Sequence, residues 1–226
     1  SAEHTWALLM SAYKRVTESF EFTKLNSVWE RNSFQTRDLF NKKIGIVGFG
    51  RNGKKIAKYA NAFGMIVMVY DKDEITNEFK HLNLKKVTLE NLFKDCDIIV
   101  LSISLNADTK NLIGSKLLNS ITKNCFLINT SRGEIVDEES IIQALKYGNL
   151  AYYATDVLCN EYDYDFLYDS KLFQYSKYHS NVLITPHIAG SNLDSWEKTD
   201  NFVVDKLLKI IELNYITIPF HVLLIL

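Results

Sequence analysis

The sequence predicts an α/β protein built on a doubly wound parallel sheet, and three observations predict it. Apolar runs of strand length recur along the chain, separated by stretches whose apolar residues fall at helical spacing. A glycine-rich turn joins one such run directly to the helical stretch after it. The later runs, Ile98-Ile99-Val100-Leu101 above all, are apolar without alternation, as in parallel strands covered on both faces.

The elements follow in order. The first helical stretch carries Trp6, Leu9, Met10, Tyr13 and Val16 on one face, while Ala7, Leu8 and Ala12 make much of the remainder apolar. A helix apolar nearly all round is expected to be buried on more than one side. Lys43 to Val47 reads as a buried strand, and Ile56, Ala57, Ala60 and Phe63 mark the helix after it. A second strand, Met65 to Tyr70, ends on Asp71. A short strand around Lys86 to Thr88 leads into a helix from Leu89 to Lys94, then a strand from Asp97 to Ile103. Ser115 to Ser120 suggests a helix and Cys125 to Ile128 a buried strand. Asp137 is a candidate cap for a helix running to Tyr147, with Ser140 three residues on and Gly148 as its stop. Strands at Ala151 to Val157 and Val182 to Thr185 complete the series. Ser191 to Leu213 reads as a closing helix with Trp196, Val203, Leu207, Ile210 and Ile211 as its apolar face.

The turn itself is Gly48-Phe49-Gly50-Arg51-Asn52-Gly53, and Asp71 lies 71 − 53 = 18 residues past its last glycine. Strand, glycine turn, helix, strand and acid form the context that a dinucleotide-binding fingerprint requires, so the sheet is expected to be a Rossmann NAD-binding domain. Gly48 lets the chain turn off the strand, Gly50 leaves room for the pyrophosphate, and Gly53 lets the helix pack closely. Backbone N–H groups near Arg51 and Asn52 would meet the phosphates at the favourable end of the helix dipole. The Asp71 carboxylate would accept from the ribose hydroxyls and repel a 2′-phosphate, which selects NAD over NADP despite Lys72 beside it.

Composition excludes several classes. At 226 residues, with 47% hydrophobic and 23% charged residues, the chain has ordinary globular composition rather than that of a disordered one. A formal net charge of −1 and no basic stripe argue against a nucleic-acid partner. Cys96, Cys125 and Cys159 are odd in number and lack metal-ligand spacing, so they read as thiols of a reducing compartment and no metal is expected. No apolar run reaches the ~20 residues that cross a bilayer, and the apolar tail Ile216 to Leu226 is short and contains Pro219 and His221. No membrane partner is expected, and the expected location is cytoplasmic. Because the chain opens at Ser1 directly into a helix and stops inside an apolar stretch, it reads as a piece of a longer protein.

Polar residues at three strand ends carry the chemistry. Asn129-Thr130-Ser131-Arg132-Gly133 follows one strand, Asp156 ends the next with Glu161 shortly after, and Pro186-His187 follows Ile184-Thr185. An Arg, a Glu and a His at the carboxyl edges of one parallel sheet can converge in one crevice. With their flanks these stretches resemble the D-isomer-specific 2-hydroxyacid dehydrogenase family. The matching segments are residues 129–137 and 185–191, Ala2-Glu3-His4-Thr5, Trp29 to Arg31, and Asp108-Thr109-Lys110-Asn111-Leu112-Ile113. The resemblance runs from about residue 2 to residue 213.

It implies an NAD-dependent hydride transfer to or from a small 2-hydroxy or 2-keto acid. His187 would be the acid–base group, Glu161 would fix its tautomer and favour the imidazolium, and Arg132 would bind the substrate carboxylate. Asp156 would face the nicotinamide end, and Thr109, Thr130, Ser131, Ala189 and Gly190 would line the same cleft. Ser104 and Tyr162 stand where the family usually has prolines. The resemblance further implies three segments: an interdomain or dimerisation helix with its lead-in (1–40), the NAD-binding domain (41–190), and a closing helix with a truncated or divergent tail (191–226). A substrate domain of roughly 100 residues is largely absent from the chain, and a homodimer about the first helix is implied. Phosphoglycerate dehydrogenase, hydroxypyruvate reductase and glyoxylate reductase are the candidate activities, with a lean to the first on family frequency. An NADH-sensing corepressor-like interaction module and a non-functional fragment are the alternatives.

Overall fold

Strands buried on both faces need helices on both faces, and the chain arranges them around a seven-stranded sheet. The computed structural model describes residues 1–75, 79, 82, 84–122 and 124–215 of the protein. β1 (Lys43–Val47) pairs in parallel with β2 (Ile66–Tyr70), which pairs with β3 (Leu84–Lys86). On its other side β1 pairs with β4 (Ile98–Leu101), and β5 (Cys125–Asn129), β6 (Leu150–Thr155) and β7 (Val182–Ile184) follow outward, all parallel. The order β3-β2-β1-β4-β5-β6-β7 reverses direction between β1 and β4. Outside the carboxyl ends of the strands at such a switch point lies the natural ligand crevice.

Alternation within strands splits the core in two. Ile44, Ile46, Val67, Val69, Ile98 and Val100 face α1 (Ala2–Tyr13) and α3 (Arg51–Ala62). Val47, Met68, Ile99, Leu101 and Leu127 face the other layer. That layer is α4 (Leu89–Asp95), α5 (Ser115–Leu118), α6 (Glu138–Tyr147) and α8 (Lys171–Ser176), the last preceded by the short α7 (Phe166–Asp169).

The first helix departs from its expected length. It stops at Tyr13, where Arg15 takes a left-handed conformation (φ 52°) and its guanidinium grips Glu18 at 2.7 and 2.6 Å. Val16 therefore begins a separate helix, α2 (Val16–Asn26), and is exposed rather than on the buried face of α1. The apolar circumference of α1 is satisfied within the chain. Trp6 meets Tyr59 and Phe63 of the α3 region at 5.8 and 5.1 Å between centroids, and Tyr13 meets Phe126 of β5 at 5.0 Å.

Other boundaries shift by small amounts with clear causes. The third strand lies at Leu84–Lys86 rather than Lys86–Thr88, because Thr88 caps α4, its hydroxyl accepting from Asn91 N–H at 3.2 Å. The fourth strand is shorter than expected, since Ser102 and Ile103 turn off to line the crevice. Asp137 caps α6 without a bond from its side chain to a helix N–H; the Ser140 hydroxyl donates to that carboxylate instead. Gly148 stops α6 at φ 80° as expected.

Residues Ser1–Ala189 form one compact unit and Gly190–Leu226 a second. The second unit consists, as far as it is described, of a turn and the helix α9 (Leu193–Tyr215), opened by Trp196 N–H donating to Asn192 C=O at 3.0 Å. The apolar tail from residue 216 lies outside the described residues. No helix among the described residues is long and apolar enough to cross a membrane.

Candidate active site

The glycine turn shows why its residue types are needed. Gly48 sits at φ 95°, and a Cβ there would stand 2.4 Å from Ser102 C=O. At Gly53 a Cβ would stand 2.1 Å from the Gly48 carbonyl oxygen, so only glycine lets α3 approach the turn. Gly50 faces open space, the room that a bulky anion at the helix start requires. Arg51 and Asn52 open α3 with exposed side chains, and Asn52 Nδ2 donates to Ser1 Oγ at 2.8 Å.

Asp71, at the end of β2, is held by the turn itself. Its Oδ2 accepts from Phe49 N–H at 2.5 Å and its Oδ1 from Asp73 N–H at 2.9 Å. Gly48, Gly50, Asp71, Ser102 and Thr109 line one cleft of about 470 Å³. Thr109 is fixed there by donating to Ser104 C=O at 2.7 Å. These residues fit a dinucleotide: open space at Gly50, helix N–H groups beside it, and an acid braced at the far strand end.

The strand ends of β5, β6 and β7 hold the second set. Glu161 Oε1 accepts from His187 Nδ1 at 2.6 Å, with the Glu161 side chain 11% and the His187 side chain 35% exposed. This fixes the tautomer of His187 and leaves its Nε2 as the nitrogen available for proton transfer. Asp156, Glu161 and His187 line a cavity of about 560 Å³ whose other walls include Leu158, Phe166, Phe173 and Ile184. Arg132 ends up exposed just beyond β5, its Nη1 donating to Ser131 C=O at 2.6 Å, and it is not among the residues lining that cavity. Thus the structure brings Glu161 and His187 together and leaves Arg132 on the neighbouring strand end.

Several expected cofactor residues are engaged in holding the crevice. Ser131 is buried, donating to Leu101 C=O at 2.9 Å. Thr130 shares a 2.6 Å hydroxyl contact with Thr5 of α1. The buried Asp156 carboxylate accepts from Ala189 N–H at 2.7 Å on Oδ2; on Oδ1 it accepts from Thr185 Oγ1 at 2.5 Å and Ile188 N–H at 3.0 Å. Gly190 opens the second unit and is exposed.

Sequence reasoning missed three supports. His4 brings Nε2 to within 3.2 Å of Asp156 Oδ1 and 3.1 Å of Thr185 Oγ1. Its place in the matching segment Ala2-Glu3-His4-Thr5 was a signal, but nothing in the sequence tied it to Asp156 or Thr185. Thr185 itself was read only as a motif residue. Glu138 accepts from Cys159 N–H at 2.9 Å and so steadies the loop that carries Glu161. Burial first, then the charge of Glu138, pushes the Cys159 thiol up to about 12, and burial likewise raises Glu138. Tyr153 is pushed up by complete burial and stays a neutral phenol, accepting from Asn129 Nδ2 at 3.3 Å. No group of three or more His, Cys, Asp or Glu among the described residues is placed to hold a metal.

The chain is similar to several known proteins. The family model described as "D-isomer specific 2-hydroxyacid dehydrogenase, NAD binding domain" matches residues 6–189. The chain is 31% identical over 215 residues to a glyoxylate reductase of Thermococcus gammatolerans, covering 92% of this chain and 62% of that protein. It is 32% identical over 195 residues to a D-3-phosphoglycerate dehydrogenase of Bacillus subtilis, covering 86% of this chain and 35% of that one. Among solved structures, a D-lactate dehydrogenase from Aquifex aeolicus complexed with NAD and lactic acid superposes with a TM-score of 0.84. The two are 26% identical, with 93% of this chain and 66% of that one covered. The chain thus spans about three fifths of the length of the glyoxylate reductase it matches, 62%.

Proposed function

The chain belongs to the D-isomer specific 2-hydroxyacid dehydrogenase family, its cofactor is NAD, and on that premise we propose that it carries the hydride-transfer half of an oxidoreductase acting on small 2-hydroxy or 2-keto acids. The single observation that carries this reading is the Glu161–His187 pair, 2.6 Å apart at the carboxyl edge of the sheet that bears the NAD fingerprint. NAD, when bound, supplies or takes the hydride. Gly48, Gly50, Gly53 and the start of α3 would hold its pyrophosphate, and Asp71 its ribose hydroxyls.

The chain's own groups manage the proton and the charge. His187 Nε2 gives a proton to the keto oxygen in reduction and takes it from the hydroxyl in oxidation. Glu161 holds the opposite nitrogen, so the ring keeps one tautomer and one orientation throughout. The planar guanidinium of Arg132 suits a substrate carboxylate, for which its side chain must leave the Ser131 carbonyl. The cavity beside His187 is walled by Leu158, Phe166, Phe173 and Ile184, with no Lys or Arg in its lining.

The test has two arms. NADH binding by the chain, followed by its fluorescence, is expected to be at least about tenfold tighter than NADPH binding, a difference of ~1.4 kcal/mol that a 2′-phosphate beside Asp71 readily exceeds. Asp71→Ala closes that gap mainly by weakening NADH, and equal affinities in the unaltered chain would refute the cofactor assignment. With a family member's substrate domain joined ahead of residue 1, 2-keto-acid-dependent NADH oxidation is expected. His187→Ala should lower it by about 10²–10⁴-fold with NADH affinity unchanged. Turnover that survives His187→Ala removes the proposed acid.

A further inference from the structure

We propose that His4 is a positioning residue for His187, acting through Asp156. His187 sits at φ 53°, a left-handed conformation that a non-glycine residue keeps only where its surroundings impose it. What imposes it here is one carboxylate. Asp156 takes the Thr185 hydroxyl two residues before His187, and the N–H groups of Ile188 and Ala189 immediately after it. The loop is thus pinned on both sides of the histidine.

A carboxylate fully removed from water must have its lone pairs filled by fixed donors. The Asp156 side chain is 0% exposed, and the group that closes its outer side is His4, whose own side chain is 21% exposed. His4 Nε2 hydrogen-bonds the Thr185 hydroxyl at 3.1 Å and stands 3.2 Å from Asp156 Oδ1. It stands between solvent and the pin. Without it, water enters along the space the ring vacates and competes with Thr185 and Ile188 for Oδ1. The left-handed turn then loses its restraint, and the ring of His187 drifts from Glu161. The first helix is therefore part of the apparatus that aims His187, although it supplies nothing to the reacting atoms.

This inference rests on the role given to His187 above, but its test reads the ring itself and needs no turnover, so the two can fail separately. In the 226-residue chain with labelled histidine, the proton on His187 Nδ1, held by Glu161, is followed by nuclear magnetic resonance through its exchange with water. His4→Leu is expected to accelerate that exchange about tenfold or more, the loss of about one hydrogen bond and of the cover over the carboxylate. His4→Asn, which keeps a polar head but is too short to reach Asp156, should do the same. His4→Gln, whose amide can restore the donor, should hold the rate within about twofold. Thr5→Ala cuts the neighbouring contact between α1 and Thr130 without touching Asp156, and should leave the rate unchanged. The proposal is overturned if neither His4→Leu nor His4→Asn moves the exchange, or if Thr5→Ala moves it as much, since the helix would then matter only as packing.

Discussion

Glu138 illustrates how a residue outside the chemistry is bound to it. Its carboxylate accepts from the backbone that leads to Glu161, yet burial raises its pKa, so the fold disfavours its charge. For an acid whose pKa is higher folded than unfolded, stability is fullest below the ordinary carboxylate range and declines as pH rises through the folded value. Glu138→Gln keeps an acceptor for Cys159 N–H and removes that charge. It is expected to match the parent's melting temperature near pH 3 and to exceed it near neutral pH (roughly pH 7), the gap opening as the acid ionises. A gap that instead widens toward acid would contradict this. At this scale the sequence was legible wherever chemistry is local. Gly48, Gly50, Gly53 and Asp71 declare themselves by spacing along one strand–turn–helix unit. The contact of His4 with Thr185 spans 181 residues, and no periodicity carries information over that distance.

Elements were legible in kind and less so in extent, and the reasons differ from case to case. β1 was read with its boundaries intact because Gly48 ends it sharply. Helix α1 was read too long because its break is made by a left-handed Arg15 clasped to Glu18, with neither glycine nor proline to announce it. Thr88 was counted in a strand because a β-branched residue suits a strand and a cap alike. One of the tight joints between elements is that of α3 on the turn after β1. Gly53→Ala would drive a Cβ to 2.1 Å from a backbone oxygen that cannot swing aside. The expected cost is about 1–3 kcal/mol of unfolding free energy in urea, with weaker NADH binding because the helix start moves. Gly50→Ala, which meets nothing, should leave stability nearly unaltered while impeding the cofactor. If the two variants lose stability equally, the packing account of Gly53 fails.

For the molecule as a whole, the homodimer inferred from the resemblance keeps its place as a proposal but moves along the chain. The apolar faces of α1 are covered by α3 and β5, whereas α2 contributes no buried residue. Phe20 is 63%, Leu25 80% and Trp29 94% exposed. A second copy meeting this segment about a two-fold axis would cover it. Sedimentation should report a dimer whose dissociation constant rises at least about tenfold in a Leu25→Ser, Trp29→Ser double variant, an effect of the size typical for loss of an aromatic anchor; a clean monomer in the unaltered chain would remove the interface. The docking of α1 has another consequence, in the order of events at the ribosome. Its partners Phe126, Thr130, Asp156 and Thr185 are all made long after it. At ordinary elongation rates, the 181 residues separating His4 from Thr185 take on the order of ten seconds or more to appear. Throughout that interval Leu8, Leu9 and Tyr13 emerge with much of their lasting cover unmade, and α1 can settle fully only once β5 and β6 have followed it out.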